Sequence, residues 1–372
     1  MEGSARVPGA HRPRPGALRR SALLDVRGRH HSRIAERVLT ERELNRALLA
    51  RQLLLERSPL SIRDAVERLG GIQNQYAPNA YIRLATCLEK FRRDDLTRAL
   101  VRGTVVQGTL MRSTIHVVSA REYWHFAMGV RRAIREWAEK ADTRAGRKGM
   151  ARRENLLRAQ LAGGPKSVKE LGELGKGFVG LWSELVRVPP SGTWERRRAD
   201  LLALAEHWVG SPDTSEAAGL EHLVRRYLRG FGPASLKDVS SWAGVPVADL
   251  VTPAARLPLR RFRDDRGREL IDLPRAPLPP ADTPAPVRLL PTWDASLLVH
   301  ARRTGVLPEE YRPLVFSNKN PPSVPTFLVD GRVAGQWRFD GRRIELEPFG
   351  RLTRATQREL REEAVRMAAI LA

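Results

Sequence analysis

Residues 61–71, SIRDAVERLGG, and 105–118, VVQGTLMRSTIHVV, decide the fold. The first opens on Ser61-Ile62-Arg63-Asp64, a hydroxyl that accepts from the first helical turn and an acid three residues on. It stops at Gly70-Gly71, where the chain needs a residue that enters the left-handed region at little cost. The second is two β-branched runs separated only by Arg112, which reads as a two-stranded ribbon. Between them Asp94-Asp95 heads LTRAL, stopped by Gly103, and upstream Thr40-Glu41-Arg42-Glu43 caps LNRALLARQLLL. Helices followed by a ribbon make a winged-helix unit, a helix-turn-helix with a β wing.

Working outward, Ser119-Ala120-Arg121-Glu122 caps a helix carrying Tyr123, Trp124, Phe126 and Trp137. The Ser-x-x-acid pattern returns at Ser167-Val168-Lys169-Glu170 before LGELG and at Ser235-Leu236-Lys237-Asp238 before VSSWAGV. Three such segments, each ending in Gly, predict three tandem units, each burying its own small core. Residues 272–291 hold seven prolines and read as a linker wrapping the surface. Beyond it, Asp330-Gly331 and Asp340-Gly341 separate alternating runs and predict two hairpins. Thr356-Gln357-Arg358-Glu359 is expected to cap a last helix ending at Ala372. The expectation is an α+β protein of three winged-helix units plus a C-terminal β-rich domain. Its parts are a disordered basic extension (1–36), unit 1 (37–148), unit 2 (149–221), unit 3 (222–275), and the linker with the β-rich domain and final helix (276–372).

With 372 residues, 42% of them hydrophobic, the chain can bury a sizeable core. One cysteine, Cys87, excludes an intramolecular disulfide framework and any multi-cysteine metal site, and its apolar setting predicts a buried structural thiol. No run approaches a membrane span and no apolar leader follows the N-terminus, so a cytoplasmic location, no membrane and a monomer are expected. The net charge of +23 points to a polyanion, and inside a cell that is commonly nucleic acid. Heavy arginine use explains Arg over Lys but not the surplus of bases over acids.

Dinucleotide and phosphate loops, nucleophile elbows and zinc-helix motifs are missing from the sequence, and no cofactor or metal is expected. One loop resists a bland reading: Gly70-Gly71-Ile72-Gln73-Asn74-Gln75-Tyr76-Ala77-Pro78-Asn79-Ala80-Tyr81. Its amides suit helix capping, yet Gln73 and Gln75 project together if the backbone is extended.

The run GGIQNQYAPNAYIRLATCLEKF, with LNRALLARQLLLER before it and STIHVVSAREYW after it, resembles the AlkZ/YcaQ family of bacterial DNA glycosylases. The resemblance continues through VRVPPSGTWERRRADL, YLRGFGPASLKDVSSWAG, LLPTWDASLLVHARRTGVLP and TFLVDGRVAGQWR, covering about residues 37–350. It implies three winged-helix units plus a β-rich domain, and a Gln-x-Gln signature in a basic cleft, matched by Gln73 and Gln75 as catalytic residues. The second glutamine is that of the AlkZ-like branch. That branch excises bulky N7-alkylguanines from double-stranded DNA and unhooks interstrand crosslinks, and some members protect antibiotic producers from their own alkylating product. Asn74 departs from the family's usual small or apolar residue, which raises the question of a different adduct.

Arg112, Ser113, Thr114 and His116 fall in an RST-x-H-like family motif and are candidate DNA contacts. So are three basic strips: Arg131, Arg132 and Arg135; Arg196, Arg197 and Arg198; Arg225, Arg226 and Arg229. Trp293-Asp294 reads as a core tryptophan with a capping aspartate. The competing class is a non-catalytic winged-helix regulator or architectural DNA binder. Regulators usually dimerise on palindromes, and no heptad seam is present.

Overall fold

The computed structural model describes residues 37–175, 178–298, 305–316 and 323–372, and the expected extension at 1–36 lies outside them. β1 (Val38–Leu39) leads into α1 (Glu41–Arg51), where Thr40 and Glu43 form the reciprocal cap that the sequence requires. Next come α2 (Ile62–Leu69), β2 (Ile72–Gln73), α3 (Pro78–Cys87), α4 (Arg93–Val101), β3 (Val105–Thr109) and β4 (Ile115–Ser119). The long α5 (Ala120–Arg144) leads to α6 (Met150–Leu161), β5 (Lys166–Ser167), α7 (Val179–Trp182), β6 (Leu185–Arg187) and β7 (Leu201–Leu204). Then follow α8 (Ala205–Val209), α9 (Glu216–Phe231), α10 (Leu236–Ala243), α11 (Val247–Ala255), β8 (Arg260–Asp264) and β9 (Glu269–Asp272).

A helix, a short extended stretch, further helical turns and a hairpin recur three times in this order. Each time the short stretch pairs antiparallel with the last strand of its hairpin: Gln73 with His116, Ser167 with Leu201, and Ala234 with Ile271. The α+β class agrees with the sequence reading. The middle copy is reduced. Ser167 and Glu170 cap each other (3.2 and 2.7 Å), but the segment makes only a 3₁₀ turn at Gly172–Leu174.

The expectation of separate small cores holds for the middle copy, where Leu157, Leu171, Val179 and Leu202 cluster by themselves, and is corrected for the other two. β3 pairs with β6 through Gln107 and Arg187, so six strands run β2-β4-β3-β6-β7-β5 across the boundary at 148/149. One apolar core continues through Leu48, Val106, Phe126, Val186, Tyr227, Phe231 and Trp242. Its densest contact is α5 on α9, where two glycines let the backbones meet. A Cβ on Gly129 would lie 2.7 Å from the Gly219 carbonyl oxygen.

The C-terminal part comprises β10 (Arg288–Leu290), α12 (Ala295–Leu298), α13 (Arg312–Val315), β11 (Thr326–Val329), β12 (Arg332–Phe339), β13 (Ile344–Pro348) and α14 (Arg354–Leu371). β10 to β13 form an antiparallel sheet in chain order, and both Asp-Gly hairpins are present. Asp330 and Gly331 take φ of 48° and 77°, the paired positive values of the tight hairpin turn. Thr353, not Thr356, caps α14: the helix begins one turn earlier, and Thr356 N donates to Thr353 Oγ1 at 3.1 Å. A second core joins α3 to this sheet and α14 through Ala80, Leu84, Phe327, Trp337 and Met367.

The proline-rich run lies along α1. Arg42, Arg46 and Arg51 donate to the carbonyls of Ala281 (2.8 Å), Thr283 (2.6 Å) and Pro277 (2.8 Å), supplying donors to a backbone that has no ladder partner. Arg51 also pairs with Asp272 at 2.7 Å with both side chains fully buried.

Candidate active site

α2 ends in a Schellman motif: Gly71 N donates to Val66 O (2.9 Å) and Gly70 N to Glu67 O (3.2 Å), with φ of 85° and 77°. A Cβ on Gly71 would stand 3.1 Å from Val118, so the turn also lets the chain lie flat on β4. The chain leaves it extended, as β2. Gln73 pairs with His116, and Asn74 N still donates to Ile115 O at 2.7 Å. The strand ends at Gln73 and Gln75 lies in the bend that follows, while the Asn74 side chain turns toward Gln107.

Both glutamine oxygens are held by donors. Arg112 Nη2 donates to Gln73 Oε1, and Ile115 N donates to Gln75 Oε1 at 2.8 Å. Because each donor is a fixed N–H, the amide orientations follow, and each oxygen keeps a second lone pair. Gln73 is buried and Gln75 exposed.

Asn74 has a structural task that the sequence does not reveal. Its Oδ1 accepts from Ala80 N (3.1 Å) in the first turn of α3, and its Nδ2 donates to the buried Gln107 (2.9 Å). Gln107 in turn donates to Gly192 O at 3.1 Å, tying this loop to the loop before β7. Asn74 thus faces away from the amide pair.

Arg112, a candidate DNA contact, spends two nitrogens inside the protein. Besides Gln73, it reaches Trp242 O at 2.6 Å, so the end of α10 braces the arginine that holds the glutamine. Burial lowers its pKa to about 10, leaving it charged at neutral pH. Arg112 and Ser113 both carry positive φ, 54° and 57°, a costly conformation for residues with side chains. Thr114 Oγ1 closes the same turn on Met111 O at 2.9 Å. His116 is buried under Gln73, with Nδ1 3.0 Å from Thr114 O. Burial, with the Arg112 charge beside it, lowers its pKa to about 3, so the ring is neutral at pH 7.

The crevice beside Gln73 is completed by Gln52, Arg83, Pro291, Trp293, Asp294 and Ala295. Arg83 Nε pairs with Asp294 Oδ2 at 2.9 Å, and both side chains are buried. Sequence reasoning passed over Arg83, because it reads as one charge on an apolar helix. Asp294 does cap as expected, accepting from Ser296 N at 2.9 Å. Trp293 differs from a core residue: it is half-buried, with φ of 60°.

None of the basic-strip arginines lines this crevice, and most of their charges are paired. Arg131 and Arg135 pair with Glu184 at 2.9 and 3.1 Å, and Arg132 with Asp249. Arg196 and Arg198 share Asp200 at 3.0 and 3.3 Å. Arg197 donates to Tyr76 Oη at 2.8 Å and lies over the Trp194 ring. Arg225 pairs with Glu221 at 2.6 Å and Arg226 with Glu122, while Arg229 is exposed with no ion pair among the described residues. Among the described residues no group of His, Cys, Asp and Glu is placed to hold a metal ion, and no helix is long and apolar enough to cross a membrane. Cys87 is fully buried, and burial raises its thiol pKa, as an inert structural thiol requires.

A mixed α+β chain with a surplus of basic residues suits a nucleic-acid partner, and the family comparison names the class. The chain belongs to the AlkZ-like DNA glycosylase family, whose model matches residues 66–370. Among solved structures it is similar to Streptomyces sahachiroi DNA glycosylase AlkZ, with a TM-score of 0.76 over 90% of this chain and 97% of that chain. Identity is 20%, so this likeness speaks for the fold. No curated protein sequence matches the chain.

Proposed function

We propose that this DNA glycosylase hydrolyses the N-glycosidic bond of bulky, cationic N7-alkylguanines in duplex DNA, with Gln73 and Gln75 as its catalytic residues. The observation that carries this is the anchoring of both glutamine oxygens to the segment 112–115, each pinned by a donor and each keeping a free lone pair. Glycosidic cleavage passes through an oxocarbenium-like sugar and ordinarily needs an acid to protonate the leaving group. An N7-alkylguanine already carries positive charge and departs without that proton. What remains is to hold a water against the anomeric carbon, which a fixed amide oxygen does by position and dipole. Neutral lesions would need the missing acid and are expected to be poor substrates.

The proposal extends to unhooking of crosslinks made at N7 and to protection against a genotoxin, acting as a monomer in the cytoplasm. Arg112, Ser113, Thr114 and His116 would then shape the site from behind, and the strips with Arg229 would meet phosphates. The test is a duplex carrying one N7-alkylguanine, incubated with the protein and treated with hot alkali. Strand cleavage at the lesion supports the reading. An intact strand bound tightly and sequence-selectively would favour a regulator.

A further inference from the structure

The crevice beside Gln73 has room for one small molecule and no more. Its volume is about 10 Å³, the space of a single water and far below that of a purine. Four polar side chains, Gln73, Gln52, Arg83 and Asp294, stand in a lining that is otherwise mostly apolar. Arg83 is almost wholly buried, and three of its hydrogen-bonding directions are used: Nε to Asp294, and Nη2 to Gln52 O (2.8 Å) and Gln52 Oε1 (3.0 Å). Its Nη1 is buried without a partner among the described residues, as are Asn79 Nδ2 and Ser296 Oγ on the same two segments. Buried polar groups are seldom left unmet, so a lone donor beside a water-sized space points to a bound water.

We propose that this crevice seats the nucleophilic water and that Asp294 accepts its proton, which makes Asp294 a third catalytic residue alongside the glutamines. This rests on the Gln73 reading and adds the charge that the amides lack. The water accepts from Arg83 Nη1 and donates to Asp294 and to the free lone pair of Gln73 Oε1. Its oxygen forms the bond to C1′ as the C1′–N9 bond breaks. The electron pair stays on the alkylpurine and cancels its positive charge, and the released proton passes to the Asp294 carboxylate and on to solvent. Of the residues lining the crevice Asp294 alone is a carboxylate, and its charge would offset the positive charge that develops on the sugar. The turn that carries it is held on both sides. Thr292 Oγ1 donates to Asn79 Oδ1 at 2.9 Å, and Trp293 accepts a strained positive φ, a cost seen where position matters.

Two substitutions test this by different routes. Asp294→Asn keeps the helix cap but removes the charge. Ala295→Val adds carbon to the crevice and touches no charge. Single-turnover excision is measured on an N7-methylguanine duplex, and affinity on the same duplex with a 2′-fluoro sugar that resists hydrolysis. Both variants are expected to slow excision by about a hundredfold or more, with affinity within about twofold and Asp294→Glu recovering part of the rate. Excision by both variants within about threefold of wild type would overturn the assignment. If Asp294→Asn melts early because Arg83 has lost its partner, Ala295→Val alone decides. A slow Gln73→Ala beside a fast Asp294→Asn and a fast Ala295→Val would leave the amide reading standing and remove this one.

Discussion

The Arg112 guanidinium donates to the Gln73 amide oxygen while its other arm holds the Trp242 carbonyl. A residue from the ribbon of the first repeat therefore fixes the proposed catalytic amide against a helix of the third. Arg112→Met frees that oxygen to rotate and is expected to slow excision about tenfold to a hundredfold, with lesion affinity changed much less. Arg112→Lys, which cannot span both acceptors, is expected to behave the same way. Single-turnover rates with filter-binding affinities check both.

Acid lability follows from two histidines. His116 and His222 have pKa values lowered to about 3, in each case by burial first, and then by the charge of Arg112 or the neighbouring His125. Unfolding restores values near 6.5, so below that pH the unfolded chain takes up protons that the native state refuses. Their contribution is intact above about pH 6.5 and is lost as pH falls from there towards 3. The expected loss between pH 7 and 4.5 is on the order of 5 kcal/mol for the two together. Denaturant melts across that range read it, and His116→Gln should flatten the curve. A pH-independent midpoint would contradict it.

The buried Arg51–Asp272 pair ties α1 to the end of β9. Arg51→Met leaves an uncompensated carboxylate and is expected to cost about 3–5 kcal/mol. Arg338→Met removes an exposed partner of Glu345 and should leave the melting midpoint essentially unchanged. Thermal melting of both in one buffer makes the comparison.

Duplex affinity should be steeply salt-dependent and largely independent of sequence, because a surplus of +23 remains after so many arginines find acids. Each phosphate neutralised contributes a slope of about −0.9 in log K against log salt. Arg229→Ala, which removes an arginine without an ion pair among the described residues, is expected to reduce that slope by about one. A flat response would remove the electrostatic account.

What the sequence disclosed was local. The caps at Thr40, Ser61 and Ser235, the glycine stop at Gly70 and the Asp330-Gly331 turn each depend on neighbours within a few residues. The extended stretch at Ile72–Gln73 depends only on the glycine stop before it. Arg112 gripping Gln73, Arg83 meeting Asp294 and Asn74 meeting Gln107 are side-chain encounters across the chain, and no short-range pattern announces them. The merged core was hidden for the same reason: β3 meets β6 through backbone hydrogen bonds that carry no sequence signature. The middle repeat shows the reverse limit, since a complete Ser167–Glu170 cap does not ensure a full helix behind it.

The central claim is that Gln73 and Gln75 perform the chemistry, and single-turnover excision on an N7-alkylguanine duplex tests it most directly. Gln73→Ala and Gln75→Ala are each expected to lose about two to three orders of magnitude in rate with lesion affinity nearly intact. The double variant should lose less than the sum of the two free-energy costs, because both amides would act as one unit on the developing sugar cation. Wild-type rates from both single variants, with unchanged melting, would contradict the account and leave the two glutamines as loop braces.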